Sequence, residues 1–260
     1  MSPAAPAATA PVTDAERQRL REPPPGWPVM RQEWRHLGFL HWAVDPEVVA
    51  PTLPAGLDLD TFDGRAFVGV IPFTISGLPS FHEINVRTYV HRRGRDPGVW
   101  FYSLDAASRI AVAGARLVYK LPYYYAGIDM RVRAGGGPDP VVDYRVTRVG
   151  RAARAPRTSP TATFTATYAP TGPIAPARPG TLELFLTERY LLYAWDGRRL
   201  RAARVHHAPY PLQPASVSGL VQTLTNDAGL PLVDAEPIAH YASAVDVRIY
   251  APHLVRPLAP

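Results

Sequence analysis

The chain has 260 residues, of which 47% are hydrophobic and 19% charged, enough to bury a substantial core in one large domain or two small ones. It contains no cysteine, which excludes disulfides, thiolate metal sites and a cysteine nucleophile. The net charge of +6 is almost wholly arginine, because Lys120 is the only lysine among 28 basic residues, and no apolar run approaches the roughly 20 residues of a membrane-spanning helix.

Residues 1–12 are mostly alanine, proline and threonine, with too little large apolar surface to fold alone. A capping box at Thr13–Glu16 opens a short helix that Pro23–Pro25 ends, so residues 1–25 read as a mobile arm and 26–260 as one domain. The start lacks the basic end and apolar centre of a signal peptide, and with the absence of cysteine this leads us to expect a cytoplasmic protein. Trp34–Pro46 is dense in aromatics and reads as a buried first strand, followed by a short helix that begins at Asp45-Pro46. Asp63-Gly64 marks a hairpin-like turn before a strand over Ala66–Phe73.

His82–Val90 alternates cleanly, with His82, Ile84, Val86, Thr88 and Val90 on one side and Glu83, Asn85, Arg87 and Tyr89 on the other. On an open sheet that polar side is solvated. On a barrel it lines a cavity in which a carboxylate, an amide and a guanidinium bind a carbonyl-bearing or anionic ligand. The next stretch, Trp100–Ala126, opens as a strand, with Ser103 and Asp105 as helix N-cap candidates. The helix carries Ile110, Ala113, Gly114, Leu117 and Val118 on the face expected against a sheet, and it ends before Pro122 and three consecutive tyrosines. Further strands are expected at Gly127–Arg133, Val141–Thr147, Thr161–Ala169, Leu200–His207 and Tyr241–Tyr250, with a helix start at Thr181. Many short strands and few helices point to a mainly β domain, more barrel-like than open.

No standard catalytic or cofactor motif is present, so no cofactor and no metal are expected. His206 and His207 are strand neighbours that face opposite ways and cannot easily share a metal. His41, in the aromatic first strand, and Arg189, in an apolar run beside Glu188, are candidate ligand-binding groups. Lys120 has two readings: a desolvated amine able to form Schiff bases, or a cation attracted to a helix C-terminus. The arginines at 145, 148, 151, 154 and 157 lie in a segment with few aromatics, a pattern that favours a solvated strand end and loop over a nucleic-acid groove.

Taken together, WRHLGFLHWAVDPEVV, LPAGLDLDTFDGRAFVGVIPF, EINVRTYV, VWFYSLDAASRIAVAGARLVYKLPYYYA, FLTERYLLY and HHAPYPLQPA resemble the uncharacterised YqjF-like family, an outlying branch of the acetoacetate-decarboxylase-like superfamily. The resemblance runs from about Trp34 to Tyr250 and implies an antiparallel β-barrel around a small-molecule cavity, with a few short helices and one central amphipathic helix. It also implies that Tyr123 and Tyr124 stand where the decarboxylase has its two lysines. Of that enzyme's two pocket glutamates, one matches Glu83 and the other falls near Gly69, while its pocket arginine falls near Ala43. One of four roles is kept, so acetoacetate decarboxylation through a Schiff base is not expected. The reading is a small-molecule-binding barrel with Glu83, Tyr123 and Tyr124 as catalytic candidates and Asn85, Arg87, Lys120, His41 and Arg189 as ligand-binding ones. A non-catalytic ligand sensor or structural module is the alternative. No nucleic-acid or membrane partner is expected, and homo-oligomerisation is left open.

Overall fold

The structure is a computed structural model that describes residues 11–77, 79–135, 139–149, 161–230, 232 and 235–256. Among these, the chain runs α1 (Asp14–Arg19), β1 (Met30–Val44), α2 (Pro46–Val49), β2 (Asp58–Leu59), β3 (Ala66–Ser76), β4 (Phe81–Arg92) and β5 (Arg95–Ala106). Then come α3 (Arg109–Val118), β6 (Tyr123–Ala134), β7 (Pro140–Arg148), β8 (Thr163–Pro170), α4 (Leu182–Thr187), β9 (Leu191–Trp195) and β10 (Leu200–His207). The last elements are β11 (Leu212–Gln222), α5 (Leu224–Asp227), β12 (Ile238–Ile249) and β13 (His253–Leu254).

The fold is mainly β. The strands form one sheet in the order β13-β10-β9-β5-β6-β7-β8-β11-β12-β1-β3-β4-β2, and β4 also pairs with β5 and β10 with β12. Pairings followed from β10 through β9, β5, β4, β3, β1 and β12 therefore lead back to β10. The sheet is mixed rather than antiparallel throughout, since β5 runs parallel to β6 and to β9. The first of these arises because α3 carries the chain back before β6 begins, the crossover that a parallel neighbour needs.

Both faces of the central strands are covered. Along β1, Leu37 and Phe39 enter one apolar cluster while Leu40, Trp42 and Val44 enter another, so a strand with alternating sides reads as a continuous apolar run. On β4, Ile84 and Val86 join the second cluster, and the Glu83 side turns toward the first.

Three expectations change. The N-terminal helix is docked rather than free: Leu20 is buried, Arg17 pairs with Asp60 at 2.8 Å, and Arg19 pairs with Asp96 at 2.7 Å. Residues 1–10 lie outside the described residues. The central helix is capped by Ser108, whose hydroxyl accepts from the Ala111 amide, and Ser103 and Asp105 stay within β5, both buried. The α3 face expected against the sheet is open instead, with Ile110 80% and Leu117 72% exposed and Val112 the residue of the helix that is buried.

Candidate functional site

A cavity of about 630 Å³ opens beside α3, and its walls are mostly apolar. Glu83, Asn85 and Arg87 line it from alternate positions of β4, and Tyr123 lines it from the first residue of β6. β5 brings these elements together, pairing Ala106 with Glu83 on one edge and Leu104 with Tyr123 on the other. As a result the Tyr123 hydroxyl donates to Glu83 Oε2 at 2.9 Å.

Glu83 is buried, and desolvation pushes its carboxyl up to about 8, against the opposing effect of the Tyr123 hydrogen bond. At neutral pH the group therefore holds its proton in most molecules while remaining close to ionisation. Burial, and then the neighbouring Glu83, raise the Tyr123 phenol well above its ordinary value, so it stays a donor. Asn85 Oδ1 is buried without a hydrogen-bond partner. Arg87 Nη2 donates to the Leu186 carbonyl at 3.0 Å and, at 3.4 Å, to Tyr89 Oη. Its Nε has no partner, and the guanidinium pairs with no carboxylate among the described residues.

The remaining candidates lie elsewhere. His41 sits behind the cavity wall with Nε2 2.6 Å from Tyr89 Oη. The Tyr89 hydroxyl donates to the Leu186 carbonyl at 2.6 Å, so its oxygen accepts from His41, which assigns the imidazole proton to Nε2 and leaves Nδ1 unpartnered. Burial and the nearby Arg87 hold this imidazole well below its ordinary pKa, so it is neutral. A Cβ added at Gly69 would come within 2.9 Å of the same ring, so a glutamate there would have no room.

Arg189 is also behind the wall. It pairs with Asp60 at 2.7 Å, donates to the Phe185 carbonyl at 2.9 Å and stacks over the Tyr89 and Phe185 rings. Desolvation lowers its pKa to about 10. Asp60, shared between Arg17 and Arg189, had no distinguishing signal in its sequence surroundings.

Tyr124, next to Tyr123 in the strand, faces the other way. It borders a second hollow of about 480 Å³, together with Trp100, Tyr102, Trp195 and Lys120. The Arg148 guanidinium lies 4.4 Å above the Tyr124 ring. Lys120 is exposed at the end of α3 with φ 58°, so its amine is not in the cavity that holds Glu83. Arg148 itself is buried, joined to Asp105 at 2.8 Å and to Asp227, and so contributes nothing to a basic surface. Arg151, Arg154 and Arg157 lie outside the described residues.

His207 stacks on Tyr190 and packs tilted against Tyr210, with Nδ1 2.8 Å from the Ala208 carbonyl, and His206 faces away. Among the described residues no group of three or more His, Cys, Asp or Glu is placed to hold a metal ion, and no helix is long and apolar enough to cross a membrane.

The architecture is that of acetoacetate-decarboxylase-like proteins. The enduracididine biosynthesis enzyme MppR complexed with pyruvate superposes with a TM-score of 0.59 at 14% identity, over 90% of this chain and 93% of that one. Acetoacetate decarboxylase from Legionella pneumophila gives 0.58 at 13% identity, over 97% and 98%. The chain belongs to the DUF2071 family of uncharacterised conserved proteins, whose model matches residues 31–246. It is 36% identical over 247 residues to the uncharacterised protein YqjF of Bacillus subtilis (strain 168), covering 91% of this chain and 96% of that protein.

Proposed function

We propose that the returning strand pairings form a barrel-like enclosure for a small carbonyl or carboxylate compound, on which the protein acts by acid–base chemistry without a Schiff base. The observation that carries this reading is the buried Glu83 carboxyl, raised to about 8 and hydrogen-bonded to Tyr123 inside the cavity. A base that takes a proton from carbon works best with a pKa near the working pH. In the ionised fraction, Glu83 accepts the proton of a carbon beside a carbonyl. The Tyr123 hydroxyl then turns from Glu83 to the ligand oxygen and stabilises the enolate by hydrogen bonding. Arg87, a buried cation without a carboxylate, supplies the charge that a ligand carboxylate would meet. That MppR is found with pyruvate adds support by analogy of fold.

The test is proton exchange in D2O. A panel of keto acids, in which the carbonyl stands from one to eight carbons beyond the carboxylate, is incubated with the protein, and NMR follows loss of the protons beside the carbonyl. Protein-dependent exchange of at least one acid is expected, rising with pH to a plateau with a midpoint near 8. It should fall about 100-fold or more in Glu83→Gln. Binding without exchange would identify a non-catalytic ligand sensor.

A further inference from the structure

Resting on the reading above, we infer that the ligand is an elongated amphipathic acid. Its carboxylate sits on Arg87, its middle passes Glu83 and Tyr123, and its apolar tail leaves over the open face of α3.

Three observations converge on this. The first is the buried charge. Arg87 lines the cavity together with Phe39, Leu37 and Tyr210, all buried, and its guanidinium is 5.8 Å from the Phe39 ring centroid. Its protein partners are a carbonyl and a phenol oxygen, neither of them charged. A buried charge left without a counter-ion is strongly unfavourable, and a carboxylate in the cavity would relieve it.

The second is the spacing and size of the site. Glu83 and Arg87 are four residues apart on one strand, about 13 Å at the rise of a β-strand. That is the separation of the two Cα atoms, and an acid of several carbons is needed to meet both side chains at once. At about 30 Å³ per water-sized group, the 630 Å³ cavity holds roughly 20 heavy atoms.

The third is the rim. Ile110 and Val118 on α3 and Val29 before β1 line the cavity mouth and are all exposed. The apolar surface left open on the helix is thus continuous with the apolar walls inside. Gly114 and Ala115, which line the same mouth, leave space between the larger residues. A tail lying there covers both surfaces at once.

Isothermal titration calorimetry with acetate, hexanoate, decanoate, tetradecanoate and uncharged decanamide tests the inference. It is run on the wild type, Arg87→Met, Arg87→Lys and the pair Ile110→Asp with Val118→Asp, with circular dichroism to check that each is folded. Since each buried methylene favours binding, affinity should rise about tenfold or more from hexanoate to decanoate. Arg87→Met should remove the preference for decanoate over decanamide, and Arg87→Lys should keep part of it. The rim pair should weaken tetradecanoate, which is long enough to pass Glu83, and leave hexanoate unchanged. Arg87-dependent binding with no dependence on chain length would overturn the elongated ligand while leaving the carboxylate reading in place. Chain-length dependence that persists unaltered in Arg87→Met would overturn the proposed orientation. If no acid binds the folded wild type, the reading of the cavity as a carboxylate site fails, and this inference with it.

Discussion

Glu83 couples the site to the stability of the whole protein. Its carboxyl titrates near 4.5 when unfolded and near 8 when folded, so the folded state holds the proton more tightly. The stability this gives is fully present below about pH 4.5, is lost as pH rises toward 8, and is constant above that. The loss is on the order of 5 kcal/mol. Glu83→Gln resembles the protonated carboxyl at every pH, so it should be more stable than wild type at pH 8 and nearly equal at pH 4.5. Urea unfolding at the two pH values measures this, and an advantage that does not grow with pH would contradict the burial of the charge.

Lys120 makes the complementary case. It is the only side-chain amine in the chain, and it stands exposed at the end of α3, away from the cavity that Tyr123 lines. A phenol forms no imine, so acetoacetate with borohydride should leave the intact mass unchanged. A reduced adduct mapped to Lys120 and absent in Lys120→Ala would restore covalent catalysis.

At the scale of elements, β5, β7 and α5 are tied by Asp105, Arg148 and Asp227, all three buried. Burial pushes the Asp105 carboxyl up, opposed by Arg148. Removing the cation in Arg148→Met strands two carboxylates and should cost about 3–5 kcal/mol in chemical unfolding. Adding Asp105→Asn should recover part of that, because it removes one of the stranded charges. Full additivity of the two substitutions would show that the groups do not interact. The same triad explains why the start of α3 was misread in the sequence. Ser103 and Asp105 carry the signal of helix caps, but Asp105 is held in β5 by an arginine 43 residues away, a contact that local pattern does not contain. Some strands were legible: β10 runs over Leu200–His207, the bounds expected for it. β11 was not, since LQPASVSGLVQ is small, polar and interrupted by Pro214, and its pairing with β8 and β12 supplies the order that its side chains do not announce.

For the molecule as a whole, the alternation of β4 grouped Glu83, Asn85 and Arg87, and the fold turned that side inward toward a cavity. The polar side of a strand looks the same in sequence whether it faces water or a ligand, so its burial was the unreadable part. The same rule of alternation separates Tyr123 from Tyr124, which the family resemblance had grouped at the positions of the two lysines. His41 and Arg189 are buried for a different purpose: they hold Tyr89 and Asp60 behind the wall, where composition alone suggests a ligand. The cavity thus keeps a short polar row in an apolar chamber, with a neutral acid toward one end and an unpaired cation at the other. The ionisation of Glu83 is the property on which this account turns. Infrared difference spectra between wild type and Glu83→Gln, recorded across pH 5 to 10, read it directly. The account predicts a protonated-carboxyl band at pH 7 that disappears with a midpoint near 8. A carboxylate already ionised at pH 5 would contradict it.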